Sequence, residues 1–223
     1  MTRQDPASGG LEARRIGEPG TGPAVMVPEV ALTQNAVSLA NRMLAGLTPG
    51  DALLLCGLTS HRGVGALAMM ALQAAAGLSG IRVLLVEAQS VHATAMGRYV
   101  PTGAPGFTDL LAGAPLTAAM LHATNQGPVQ LMGVGTRPEL AGAGSLMAAS
   151  VGAAVAALCA EAGLVGLIGA PMRQSVGTAS IAKHAQATVL CVHRAVDRRD
   201  TVVQAVADFS ATGTRLLGTV LLR

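Results

Sequence analysis

The chain has 223 residues, 51% of them hydrophobic but only 1% aromatic, and a formal net charge of +3. That length suffices for one α/β domain with a good core, and the core must be Leu, Val, Ala and Met, because Tyr99, Phe107 and Phe209 are its only aromatic residues. Basic residues are scattered apart from Arg194, Arg198 and Arg199, and stacking platforms are nearly absent, so a nucleic-acid partner is a poor reading.

Residues 1–25 are polar and rich in Gly and Pro. They carry no secretory signal and read as a disordered tail, leaving 26–223 as a single domain. Pro28 and Glu29 suit the first turn of a helix with an apolar stripe at Val30, Val37, Leu39, Met43, Leu44 and Leu47, ended by Pro49-Gly50. An apolar strand, Ala52 to Cys56, leads into a glycine-bearing turn, Gly57 to Gly65. The helix that follows, Ala66 to Leu78, is apolar all round and is predicted to lie buried against a sheet. Arg82 to Glu87 is a second strand, with the continuous apolar run of a strand covered on both faces. Glu87 stands at its C-terminal edge, where ligand sites of open α/β sheets collect. Helical residues are expected through Arg98.

Gly106 to Met120 holds a short helix and then a second one headed by Pro115. Further strands are predicted at Val129–Gly133, Leu164–Ile168, Thr188–His193 and Leu216–Leu222, with helices at Leu146–Ala162, Ile181–His184 and Asp200–Ala211. Regular alternation of strand and helix implies an α/β fold: a mostly parallel sheet with helices on both faces, in three layers, with right-handed crossovers. Two uncharged or nearly uncharged stretches, Val64–Ile81 and Leu146–Met172, mimic membrane spans. Both are rich in Ala and Gly and broken by a helix-to-strand change, so they read as buried helices and no transmembrane span is expected.

Cys56, Cys159 and Cys191 are odd in number and far apart, which argues against a disulfide framework or a zinc site. Cys56 and Cys191 lie in apolar runs and read as buried strand thiols in a reducing cytosol. The five histidines show no ligand spacing and read as exposed or capping residues, so no metal site is expected.

The strand, glycine turn and helix between Asp51 and Met70 have the layout of a phosphate-binding loop, G-x-x-x-x-G-K-[ST]. The matching positions are Ser60, His61, Arg62, Gly63, Val64, Gly65, Ala66 and Leu67. The lysine, whose hydrogen bond to a charged group is worth about 1.5–3 kcal/mol, is Ala66. The hydroxyl that ligates magnesium is Leu67. No other lysine is near, because Lys183 is the only one in the chain. Ser60, Arg62, Gly63, Gly65 and Glu87 are therefore candidate remnants of a cofactor-binding site, with no catalytic residue among them. The plainer reading makes Gly63 and Gly65 turn formers, Glu87 a solvated strand-end carboxylate, Asp109 a capping or solvent-facing residue, and Arg198, Arg199 and Asp200 an exposed helix start.

From Asp51 to Arg223 the chain resembles the cytoplasmic domain of bacterial tyrosine kinases and polysaccharide chain-length regulators, within the MinD/ParA-type P-loop class. The family's T-S-x-x-x-G-E-G-K-[ST] is echoed by Thr59-Ser60 and Gly63-Val64-Gly65-Ala66-Leu67, and its L-L-V-D-A-D by Leu84-Leu85-Val86-Glu87-Ala88-Gln89. Its G-L-S-D-L-L-A-G is matched by Gly106-Phe107-Thr108-Asp109-Leu110-Leu111-Ala112-Gly113, its A-G-x-x-P by Val134-Gly135-Thr136-Arg137-Pro138, and its I-I-D-T-P-P by Leu167-Ile168-Gly169-Ala170-Pro171-Met172. The closing pattern is similar to Val189–Arg194, Arg198–Thr201 and Leu217–Leu221. Each position used for nucleotide chemistry departs from the pattern: Ala66, Leu67, Glu87, Gln89 and Gly169. The family's tyrosine-rich tail is absent, and its E-x-x-R-x-x-R helix is not visible around Glu29.

The resemblance implies a P-loop NTPase-like fold without catalysis or a resident cofactor. It implies a cytoplasmic pseudo-kinase, peripheral at the inner membrane, that serves exopolysaccharide, capsule or holdfast-type polysaccharide synthesis and export. Its partner would be a membrane-bound copolymerase-type protein or another copy of itself. The alternatives are a divergent ATP-binding protein with weak ATPase activity, with Arg62 replacing the lysine and Glu87 holding the metal, and a MinD-like positioning or scaffold factor.

Overall fold

The computed structural model describes residues 29–89, 96–97, 99–124, 127–141, 148–211 and 213–222. The expected tail at 1–25 and most of the helical residues expected before Arg98 lie outside them. The elements in chain order are α1 (Glu29–Gly46), β1 (Asp51–Gly57), α2 (Val64–Ser79), β2 (Val83–Glu87), α3 (Phe107–Leu111), β3 (His122–Ala123), β4 (Val129–Met132), α4 (Ala148–Glu161), β5 (Leu164–Ile168), α5 (Val176–Ala182), β6 (Ala187–His193), α6 (Arg199–Ala211) and β7 (Leu216–Leu222).

The strands form one seven-stranded sheet in the order β3-β4-β2-β5-β1-β6-β7. Every pairing is parallel except β3 with β4. The alternation of strand side chains explains the three layers. Leu53 and Leu55 of β1, with Val83 and Leu85 of β2, face α1 and α2, where they meet Met43, Leu67 and Leu72. Ala52, Leu54, Leu84 and Val86 face the other way, into a core with Phe107, Val151, Leu158 and Phe209. Both faces are buried, which is why these strands read as unbroken apolar runs. Cys56 and Cys191 fall in opposite cores. Burial pushes the Cys56 thiol up to about 12 and raises Cys191 as well, so both are inert packing groups. Among the described residues no helix is long and apolar enough to cross a membrane.

Three local expectations need correction. The helix expected from Pro115 is a single 3-10 turn, Ala118–Met120, because the chain must straighten at Leu121 to pair His122 with Leu131 along β4. That two-residue antiparallel strand is too short to leave a period in the sequence. Helix α5 begins at Val176, five residues before Ile181, with Gly177 and Thr178 buried. The histidines are not uniformly exposed: His193 is only 7% accessible at the end of β6.

Strand β7 forms one edge of the sheet, and α1 runs beside it. Asn35 Nδ2 donates to the Leu221 carbonyl (3.3 Å), and Arg215 Nη1 donates to the Gly46 carbonyl (2.8 Å). The narrow groove between them is lined by Asn35, Ser38 and Arg42 of α1 and by residues 217–221.

The GFTDLLAG and GVGTRP stretches zip together. Phe107 N donates to the Gly133 carbonyl (3.0 Å) and Thr108 N to the Val134 carbonyl (2.7 Å). A Cβ at Gly106 would strike the Gly133 carbonyl, so only glycine allows this approach. Asp109 fastens the junction. Its Oδ2 accepts from Gly106 N (2.8 Å) and Thr136 N (3.0 Å), and Oδ1 accepts from the Thr136 hydroxyl. It is a cap, one of the two roles expected of it. Burial pushes its carboxyl up, but the Thr136 and Gly106 hydrogen bonds and the Arg137 charge outweigh that and hold it below its ordinary value. Its stabilising contribution is therefore complete above the ordinary value of 3.8 and is lost as pH falls through the lower folded-state value. We expect Asp109→Asn to cost about 1 kcal/mol at neutral pH, the low end for a bonded carboxylate that is partly open to solvent. Urea melts at stepwise lower pH should show the gap to wild type closing; a gap independent of pH would refute this role.

Candidate functional site

The turn between β1 and α2 gathers Ser60, Arg62, Gly63 and Gly65 at the C-terminal edge of the sheet. It is tight. Two residues separate Ser60 from Gly63, one fewer than in the family pattern. The Ser60 carbonyl folds back over Gly57, where any Cβ would collide with it. Ser60 Oγ accepts from Arg62 N (3.2 Å), closing a hydroxyl turn. Gly63 has φ 75°, the left-handed region that glycine adopts without strain, and stands as the N-cap of α2. Arg62 is exposed, while Ser60, Gly63 and Gly65 are half-buried.

Neighbouring loops pin this turn. Its outward carbonyls are taken by the segment after β5: Met172 N to Gly57 (2.9 Å), Arg173 N to Leu58 (3.2 Å) and Gln174 Nε2 to Thr59 (2.7 Å). On the other side, the Thr59 hydroxyl donates to Asp197 Oδ1, while Asp197 Oδ2 accepts from His193 N (2.7 Å).

Glu87 stands apart from the turn. It shares a register row with Ile168 and Leu55, with β5 intervening, so its backbone lies roughly 10 Å from β1. Strand alternation puts its side chain on the α2 side, with Val83 and Leu85. It is only 6% accessible, which corrects the reading of it as a solvated carboxylate. The last row of β2 is still inside the sheet, flanked by Ile168, and the chain beyond it stays buried through Ala88 and Gln89.

The remaining positions of the nucleotide pattern are occupied by structure. Leu67 is fully buried in the core between α2 and the sheet. At Gly169 a Cβ would lie 3.1 Å from Leu54 Cδ1 and 3.2 Å from Thr178 Cγ2, so an aspartate there would have to push its carboxyl past packed apolar atoms. Gln89 is buried with all four of its hydrogen-bonding sites filled. Its Nε2 donates to the Ala141 carbonyl (3.1 Å) and to Ser175 Oγ (2.7 Å), and its Oε1 accepts from Ala170 N (2.9 Å) and from Thr178 Oγ1 (2.6 Å). The Ala141 carbonyl can only accept, so a carboxylate could not replace the amide. These residues do not fit a magnesium nucleotide: the cation, the hydroxyl and two acids are missing, and apolar packing or an amide stands in their places. Among the described residues no group of three His, Cys, Asp or Glu is placed to hold a metal ion.

Sequence reasoning missed Asp197, Gln174, Ser175 and Thr178, which stitch this edge together. Asp197 left a usable signal, an acid just past a strand end where short side chains close turns. Gln89 left none, since its partners are 52 to 89 residues away. We expect Gln89→Glu to lower stability by about 1–3 kcal/mol, the cost of opposing a buried carboxylate to a carbonyl. Equilibrium urea unfolding reads this; wild-type stability in the variant would mean that the network holds nothing together.

The sequence matches no protein-family model and no curated protein. Solved structures match well. The VpsO kinase domain superposes with TM-score 0.69 at 15% identity, over 87% of this chain and 96% of that one. The BceF tyrosine kinase domain gives TM-score 0.65 at 20% identity, covering 85% and 75%. The kinase domain of the Escherichia coli tyrosine kinase ETK gives 0.66 at 15% identity, covering 81% and 70%. The chain therefore has the P-loop NTPase-like α/β fold of the bacterial tyrosine-kinase domains, which its motifs had pointed to.

Proposed function

We propose that the chain is a non-catalytic pseudo-kinase, a cytoplasmic interaction module for exopolysaccharide, capsule or holdfast-type polysaccharide synthesis and export. The observation that carries this reading is the refilling of the nucleotide positions: Leu67 belongs to the core, Gln89 to a closed hydrogen-bond network, and Gly169 to a packed contact. The missing groups are those that stabilise charge in phosphoryl transfer. The polysaccharide setting is supported by the shared fold of the kinase domains and by the GFTDLLAG and GVGTRP pair. In this reading the module works at the inner membrane with a membrane-bound copolymerase-type partner or with its own copies, and the fold is used as a surface.

Exposure of Arg62 in the turn favours one second reading: a divergent ATP-binding protein with weak hydrolysis, in which Arg62 replaces the lysine. One measurement separates the two. A ligand that binds only the folded state raises the melting temperature, and one that does not bind leaves it unchanged. We expect millimolar Mg-ATP to give no shift; a shift of several degrees would favour the second reading. We further expect Ala66→Lys with Leu67→Thr to yield no hydrolysis, because Gln89 and Gly169 still supply no carboxylate. Circular dichroism must first show that this variant folds, since Leu67 is a core residue; phosphate release above the wild-type background would then show that the rest of the site is still competent without those carboxylates.

A further inference from the structure

Three loops meet at the C-terminal edge of the sheet: 58–63 after β1, 169–175 after β5, and 194–198 after β6. They are tied to one another by the bonds from Met172, Arg173 and Gln174 to the first loop and by Asp197, which links Thr59 to His193. Four arginines project from these loops, Arg62, Arg173, Arg194 and Arg198, and all are exposed. No salt bridge joins any of them to a carboxylate among the described residues; Arg82 pairs with Glu161 elsewhere. The nearby acids do not neutralise them. Asp197 is engaged by Thr59 and His193, Glu87 is buried, and Asp200 sits in the first turn of α6, where the helix dipole already favours it. Two aliphatic side chains stand on the same rim, Val176 at 71% and Val196 at 62% exposure.

We propose that this rim is a docking surface for an acidic peptide segment carrying aliphatic side chains, supplied by a partner protein. Charge complementarity selects the occupant. Guanidinium forks match carboxylates two bonds at a time, and a rim built from arginine with no lysine is suited to that pairing. The hydrogen-bonded loops fix the backbone that carries the arginines, which lowers the ordering cost of binding. An anionic lipid surface fits less well, because the rim has neither the aromatic nor the large aliphatic anchors of interfacial segments. The proposal rests on the reading that this edge no longer handles nucleotide.

A short fluorescein-labelled peptide alternating Glu and Val, with a Lys and Val counterpart, provides the test by fluorescence anisotropy. The Glu peptide is expected to bind the full chain, more weakly at high salt, and the Lys peptide not to bind. Arg173→Glu with Arg194→Glu should weaken binding by about tenfold or more at an unchanged melting temperature; both side chains are exposed, and the Arg173 amide bond to Leu58 does not depend on its side chain. Absence of binding, equal binding of the Lys peptide, or an unaffected double variant would overturn the proposal. So would binding to vesicles containing phosphatidylserine without binding to the peptide. The Mg-ATP melting test is read separately: a shift there favours the ATP-binding reading, whereas failure with the peptide removes only the docking surface.

Discussion

The side-chain amide of Gln89 reaches the Ala141 carbonyl, the exit of β5 at Ala170, and both Ser175 and Thr178 around the start of α5. Two donors and two acceptors meet two acceptors and two donors at a buried side chain. Such a network is worth most when complete and costs most when any member is missing. Fixing α5 to the end of β2 in turn sets the segment after β5, and that segment clasps the turn before α2. The geometry of the whole C-terminal edge thus follows from one uncharged residue in a place where the family pattern carries an acid.

That substitution gives the other departures a common physical sense. A magnesium nucleotide needs a wet, charged recess with carboxylates held ready. Here Leu67, Gln89 and Gly169 are buried in packed surroundings. Leu67 contributes to the core, Gly169 lets Leu54 and Thr178 close up, and the turn is one residue shorter and folded onto Gly57. Losing charge and gaining packing are two sides of the same change, because an unpaired acid could not stay buried among these neighbours.

The strands were legible because a parallel sheet covered on both faces leaves continuous apolar runs, as in ALLLC and RVLLVE, and the helices because breakers bound them at Pro49-Gly50 and Gly80. The candidate turn was legible from its glycines. What sequence could not show depends on distant partners. The start of α5 is set by Thr178 meeting Gln89, not by local periodicity, so a pattern search places that helix late. Burial of Glu87 and His193 arises from the rows beside them, which no spacing rule encodes.

The seam between α1 and β7 has a consequence for solubility. Strand β7 reads LLGTVLL, seven residues with no charge and no proline to blunt its outer side. Bare strands of this kind recruit one another and seed fibrils. Here the Asn35 amide caps the Leu221 carbonyl, and Arg42 lies against Gly218. Helix α1 therefore shields part of this edge, and conditions that detach it while the sheet persists would leave an uncharged strand open to pairing with another chain.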